Sequence, residues 1–176
     1  MGLERGDGFE RLVGRWSAEQ HAAEMMLSGS RYLAARSGAE LVGFVLLQEL
    51  DDAQGCATLR RIAVARPGEG LGPGLLAAAQ DEAFGDSAVH RLQLRVYPEN
   101  ERARRAYRTA GFVEEGLMRG VSRAADGTHR SMVLMSILRP EWLARRAGRS
   151  LSRTAPSGRV RDCLLYTSPS PRDRQK

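Results

Sequence analysis

Ile62-Ala63-Val64-Ala65-Arg66-Pro67-Gly68-Glu69-Gly70-Leu71-Gly72-Pro73-Gly74 decides the fold, because it passes from an apolar strand into a turn with glycine at every second position. Leu75, Leu76, Ala79, Ala83 and Phe84 then recur at helical spacing, so the turn opens an amphipathic helix. Glycines let backbone come close to an anion, and the uncapped N–H groups of a helix start favour negative charge. The stretch predicts a strand, a pyrophosphate-sized cradle and a helix. It is not a Walker loop, since no Gly-Lys-Ser/Thr follows, and a dinucleotide fingerprint would need a parallel βαβ unit opening the domain.

Working back toward the N-terminus, Leu41-Val42-Gly43-Phe44-Val45-Leu46-Leu47 is a continuous apolar run, which predicts a strand covered on both faces. Tyr32-Leu33-Ala34-Ala35 before it and Cys56–Ala65 after it complete an antiparallel meander, with turns at Ser37-Gly38 and Asp51–Gly55. Ser17 is a good N-cap for a helix over Ala18–Leu27, and Phe9, Leu12, Val13 and Trp16 suggest another before it. Toward the C-terminus, Leu92, Leu94 and Val96 alternate with Arg91, Gln93 and Arg95 as in a half-buried strand. A helix follows over Asn100–Ala110, with Ala103, Ala106, Tyr107 and Ala110 on one face and Arg102, Arg104, Arg105 and Arg108 on the other; Gly111 stops it. Two strands, Phe112–Val121 and Arg130–Leu138, flank the turn signal Asp126-Gly127. The order of elements predicts one α/β domain whose sheet mixes antiparallel and parallel pairs.

Composition narrows the class. The chain has 176 residues and a formal charge of +6, but from Arg149 onward seven Arg or Lys stand against only Asp162 and Asp173, leaving +1 for residues 1–148. A nucleic-acid-binding protein driven by its arginines is thus a weak alternative. The body holds no lysine and is rich in Ala and Gly, a pattern of coding bias. Cys56 and Cys163 form no disulfide or zinc spacing, and His21, His90 and His129 are scattered, so no metal is expected. No signal peptide or membrane span is read, which predicts a cytoplasmic protein without membrane partners.

The segment Asn100-Glu101-Arg102-Ala103-Arg104-Arg105-Ala106-Tyr107, followed by Gly111-Phe112, brings a second motif into order behind the first. Together the two resemble the GNAT N-acetyltransferase superfamily, whose motif A is a strand, a glycine-rich loop and a helix, and whose motif B reads N-x-x-A-x-x-x-Y-x-x-x-G-F. The resemblance spans Trp16 to Trp142, and the ending Gly127–Trp142 is similar to the branch containing ribosomal-protein and polyamine acetyltransferases.

That resemblance implies a GNAT fold, a mixed central sheet flanked by helices, and direct transfer of acetyl from acetyl-CoA to a primary amine without metal. By the same analogy, Ile62, Ala63 and Val64 hold the pantetheine arm and polarise the thioester. Gly68, Glu69, Gly70, Leu71, Gly72, Pro73 and Gly74 hold the pyrophosphate, Asn100 contacts the pantetheine, and Tyr107 protonates the leaving thiolate. A fixed N–H beside the developing oxyanion, and a phenol beside the sulfur, are what this chemistry requires. Read from the residues alone, Tyr107 fits a core aromatic and Asn100 an ordinary N-cap. Glu49, Asp51 and Asp52 could deprotonate an ammonium or simply form a solvated loop. Small-molecule amines and protein N-termini are both open as acceptors, and pairing of final strands makes a homodimer conceivable.

Three departures stand out. Pro67 replaces the usual Arg or Gln, and Pro73 removes another N–H, so a catalytically idle domain that still binds CoA is a second alternative. The first strand of the family fold is not found ahead of Phe9–Leu27, which predicts an N-terminally incomplete domain over 1–148. Residues 149–176 read as a disordered tail, in which Cys163–Asp173, CLLYTSPSPRD, matches translated sequencing-adaptor DNA codon by codon.

Overall fold

A computed structural model describes residues 17–85, 88–124, 126–151 and 163–167, with 149–151 and 163–167 at backbone level. The expected helix through Phe9 and Trp16, and the question of a strand ahead of it, lie outside the described residues. Among the described residues four helices and seven strands run in the order α1 (Ala18–Glu24), β1 (Arg31–Ser37), β2 (Glu40–Gln48), β3 (Cys56–Val64), α2 (Leu71–Phe84), β4 (Arg91–Val96), α3 (Glu101–Thr109), β5 (Val113–Arg123), β6 (His129–Leu138), α4 (Arg139–Leu151) and β7 (Cys163–Thr167).

The strands form one mixed sheet in the order β5-β6-β4-β3-β2-β1-β7. β1, β2 and β3 are the antiparallel meander, and β3 pairs with β4 in parallel across the α2 crossover. β6 then inserts between β4 and β5, antiparallel to both. In β2, Phe44, Val45, Leu46 and Leu47 are all at most 3% exposed, so both faces are covered, as their unbroken apolar run requires. One face of the sheet carries the main core: Val45, Leu47, Leu92, Leu94 and Met135 pack with Leu76, Ala79 and Phe84 of α2, Tyr107 of α3 and Trp142 of α4. On the other face Tyr32, Phe44, Leu46 and Ala63 form a smaller cluster, which His21 of α1 joins edge-on to the rings of Tyr32 and Phe44.

His21 is 2% exposed and its Nδ1 lies 2.8 Å from the Tyr32 hydroxyl. It is therefore a satisfied core histidine, whereas His90 and His129 are exposed. α1 ends at Glu24, three residues earlier than the sequence suggested; Ser17 caps it by accepting from the Gln20 N–H, and the Gln20 side chain answers by accepting from the Ser17 N–H.

Two features depart from the sequence reading. α4 was not anticipated. It continues directly from β6, the Leu138 N–H donates to Glu141 Oε2 at 2.8 Å, and Trp142 anchors it by packing on Phe84, with its Nε1 donating to Asp81 Oδ1 at 3.3 Å. The second concerns the tail, expected to be without structure from 149. Instead α4 runs to Leu151, and Cys163–Thr167 lies antiparallel along Ser37–Leu33 as β7. The outer backbone groups of β1 are a template for pairing, and Leu-Leu-Tyr-Thr has the β propensity to take it.

Candidate active site

The sheet opens at its centre. β3 and β4 are paired only over Cys56–Thr58 and Arg91–Gln93, although β3 continues to Val64 and β4 to Val96. On the β2 side Leu46 pairs with Arg61 but Leu47 with Leu59, so Arg60 is an extra residue, a β-bulge. A bulge bends and twists its strand, and this one lies just past the last rung shared with β4. Beyond Thr58, the β4-facing backbone of β3 has no ladder partner in β4.

The gap is one cavity of about 470 Å³, lined along β3 from Thr58 to Val64 and closed by Pro67, Gly68, Gly70, Gly72, Pro73 and Leu76 at the glycine turn. Arg95, Val96 and Tyr97 of the β4 end, Asn100, Arg102, Ala103, Ala106 and Tyr107 around α3, and Ser122 and Met132 of the β5–β6 hairpin complete the wall.

Gly70, the N-cap of α2, has φ 82°, and Gly68 has φ 99°, the left-handed region that a side chain resists. A Cβ at Gly68, Gly70, Gly72 or Gly74 would meet no protein atom within 4 Å. The Cα side of this turn is thus open, and the amides of Leu71, Gly72 and Gly74 lie in the first turn of a helix that no side chain caps, where the backbone favours an anion; Pro73 contributes none. This fits a diphosphate held by backbone.

Tyr107 comes from the buried face of α3, 9% exposed and edge-on to Phe112 at 6.0 Å. Burial pushes its phenol up to about 12, so it is fully protonated across the neutral range and can only give a proton. Its hydroxyl has no hydrogen-bond partner among the described residues. Asn100 caps α3, its Oδ1 accepting from the Ala103 N–H at 3.2 Å, and it also lines the cavity. α3 is pinned by Arg104, whose Nε and Nη2 each donate to Glu114 over 3.0 Å, with Arg108 donating to the same carboxylate; these donors hold Glu114 below the usual carboxylate range.

The structure therefore gathers Ile62, Ala63, Val64, Gly68, Gly70, Gly72, Pro73, Asn100 and Tyr107 around one cavity. Leu71 and Gly74 share the turn without lining it, and Glu69 points its carboxylate toward Arg66 at 3.9 Å, both largely exposed. Sequence reasoning passed over Thr58, Arg60, Arg61, Arg95, Tyr97, Ser122 and Met132. A signal was present for the bulge: Leu59-Arg60-Arg61-Ile62 sets two charged residues side by side, and a period of two would send them to opposite faces of a strand that is otherwise largely apolar. Among the described residues no group of three His, Cys, Asp or Glu could hold a metal, and no helix is long and apolar enough to cross a membrane.

A model of the acetyltransferase (GNAT) family matches residues 6–112, and the chain belongs to that family. It is an acetyl-CoA-dependent N-acetyltransferase. Among solved structures it is similar to a single-residue variant of the spermidine N-acetyltransferase SpeG from Vibrio cholerae, with TM-score 0.68 and 24% identity over 82% of this chain and 89% of that one. A second variant of the same protein gives TM-score 0.63 and 27% identity over 73% of this chain and 76% of that one. The spermidine N-acetyltransferase of V. cholerae in complex with CoA and spermine gives 0.62 and 26% over 71% and 75%.

Proposed function

We propose that this cavity is where acetyl passes to a small-molecule primary amine, with Tyr107 as the proton donor and the glycine turn as the cofactor cradle. The observation that carries the reading is the parting of β3 from β4 after Thr58 and Gln93, which sets a free strand edge, the glycine turn and Tyr107 around one space. When bound, acetyl-CoA supplies an acetyl thioester. The β3 edge at Ile62–Val64 offers fixed N–H groups, worth more to a developing oxyanion than water because they need no reorganisation. Gly68–Gly74 and the start of α2 hold the diphosphate, and Asn100 borders the pantetheine arm. Tyr107, kept protonated by its burial, gives the thiol its proton.

The acceptor is a small amine, as the named substrates of the V. cholerae relatives suggest. Neither a catalytically idle domain nor an arginine-driven nucleic-acid binder has a structural observation in its favour. Isothermal titration of acetyl-CoA into the full chain tests the reading: saturable binding near one per chain is expected. A folded sample that binds none would overturn it.

A further inference from the structure

One hydrogen bond leads out of the cavity to a carboxylate. Thr58 lines the cavity and is 6% exposed, and its hydroxyl donates to Glu49 Oε2 at 2.5 Å. Gln93 Nε2 is 3.4 Å from the same hydroxyl oxygen, too long for a strong bond, so Thr58 Oγ1 keeps lone-pair capacity for a further donor. Thr58 and Gln93 are also the last paired residues before β3 and β4 part. The hydroxyl therefore stands at the root of the gap with Glu49 behind it.

The backbone of Glu49 is shaped for this contact. Thr58 is on the sheet face away from α2 and α3, since Ala57 and Leu59 on either side of it both belong to the helix-side core. Its β2 partner Gln48 shares that face, where its Nε2 donates to Glu24 Oε1 of α1 at 2.6 Å. Glu49 comes next, and one more extended residue would send its side chain to the opposite face, with Leu47. Instead its φ is 62°, the one positive φ of a non-glycine residue among the described residues, and its carboxylate reaches Thr58. A side chain resists that conformation, and such residues gather at functional sites.

The neighbouring acids of the turn are engaged elsewhere. Asp51 accepts from the Ser28 hydroxyl, and Asp52 from the Gln54 and Cys56 amides. Of these three carboxylates, Glu49 is the one that bonds to a residue of the cavity wall. It is itself exposed, so a proton it takes can pass on to water. Tyr107 belongs to the helix-side core, so Thr58 and Tyr107 border the cavity from opposite faces of the sheet. A nitrogen at Thr58 and a sulfur at Tyr107 would flank the thioester carbonyl.

We propose that Thr58 Oγ1 accepts a hydrogen bond from the acceptor's ammonium group and that Glu49 takes the proton through this hydroxyl, freeing the nitrogen lone pair for attack. This rests on the cavity being the acetyl-transfer site. A primary ammonium loses two protons on becoming an amide. The first passes to Thr58 Oγ1 as the hydroxyl's own proton passes to Glu49 Oε2, and from there to water. The nitrogen then bonds to the acetyl carbon, the carbon–sulfur bond breaks, and the second proton balances the one that Tyr107 gives the thiolate. Thr58 touches the reacting nitrogen, and Glu49 acts through it.

The test uses the full chain, thiol release corrected for the blank, and spermidine, cadaverine and phenethylamine as acceptors, with the fastest carried forward. Glu49→Gln keeps an oxygen for the Thr58 hydroxyl but cannot hold the proton, so a purely structural bond would survive it. At pH 7 its kcat/KM should fall by about 10²-fold, the lower end of a general base's usual contribution. The loss should shrink as pH rises toward about 10, where an alkylamine is neutral without help. Thr58→Val should show a comparable loss and Thr58→Ser should recover most of it, while both Glu49→Gln and Thr58→Val bind acetyl-CoA with wild-type affinity. The proposal is overturned if Glu49→Gln loses less than about threefold at pH 7, if its loss is the same factor at pH 7 and pH 9.5, or if it weakens acetyl-CoA binding. It also fails if wild-type protein that binds acetyl-CoA acetylates none of the three amines. Absence of acetyl-CoA binding by the folded wild-type chain would instead overturn the assignment of the site, and this proposal with it.

Discussion

Arg91 holds Glu115 through two parallel hydrogen bonds, Nη1 to Oε1 at 2.6 Å and Nη2 to Oε2 at 2.5 Å, and so ties β4 to β5 across β6. Ser136, on the intervening strand, donates to Glu115 Oε1 at 2.7 Å. The Arg91 bond, then the Ser136 bond, draws the Glu115 carboxyl down to about 2, against a smaller opposing effect of burial. A carboxyl depressed in the folded state stabilises above its unfolded value, about 4.3, and that contribution fades as pH falls toward 2. Both side chains are partly exposed, so the pair is worth about 1 kcal/mol or less at neutral pH. Glu115→Gln should therefore lower Tm by a few degrees at pH 7 and make its decline between pH 4.5 and 2 shallower. Thermal melts across that range check it; an unchanged acid limb would show that the pair adds nothing.

Tyr107→Phe separates chemistry from packing. The ring still fills the space beside Phe112, and only the hydroxyl at the cavity is lost. Turnover should fall by about 10²- to 10⁴-fold, the usual range for a lost general acid, while the Kd for acetyl-CoA stays within a factor of two or three. With the phenol near 12, kcat of the wild type should show no fall from Tyr107 ionisation below about pH 10. A variant as active as wild type would leave Tyr107 as a core aromatic alone.

Much of this site was legible in the sequence because its parts are local: a period of two, a period of 3.6, and a glycine turn joining them. Leu92, Leu94 and Val96 are buried as their alternation predicted, and Asn100 and Gly111 bracket α3 as expected. What escaped depends on non-local fit. The Arg60 bulge is defined only by register against β2. Of the described side chains of α4 Trp142 alone is buried, beside exposed Leu143, Arg145 and Arg146, and what docks the helix is its contact with Phe84 of α2, far off in the sequence. The insertion of β6 between β4 and β5, which brings Met132 and Ser122 to the cavity, is a matter of topology that no stretch of residues announces.

Gly70→Ala probes the cradle. A left-handed non-glycine residue costs roughly 1–2 kcal/mol, so a Tm drop of a few degrees is expected from backbone strain alone. The added methyl meets no protein atom. Any loss of acetyl-CoA affinity beyond the strain therefore reports a ligand lying against that face, and a rise in Kd of about 10-fold is expected from lost backbone contact. Calorimetry on the folded variant decides it, and an unchanged Kd would move the phosphates elsewhere.

Trp142→Ala should destabilise by about 3–5 kcal/mol, the range for truncating a buried aromatic. The indole is 5% exposed, packs on Phe84 at 5.5 Å between ring centroids, and donates to Asp81, so its loss weakens the docking of α4 on α2 and leaves the Arg146–Asp81 ion pair to hold it. None of these contacts reaches the cavity lining. Chemical denaturation should show the full loss while acetyl-CoA affinity, measured well below the new midpoint, remains that of the wild type.

Removing residues 152–176 tests the tail by a different route. The deletion takes away β7 and leaves the outer backbone of β1, from Leu33 to Ser37, without the partner it has in the full chain. β1 remains paired with β2 over seven positions, and its Leu33 and Ala35 stay in the core, so the domain should fold and bind acetyl-CoA as before. An uncovered edge is a template for another chain, so the shortened protein should self-associate more readily. Light scattering or sedimentation against concentration measures this. Increased association with intact cofactor binding would assign Cys163–Thr167 the role of edge cover. A shortened protein that stays as it was, in both respects, would show the tail to be dispensable, as its resemblance to adaptor-encoded sequence suggests.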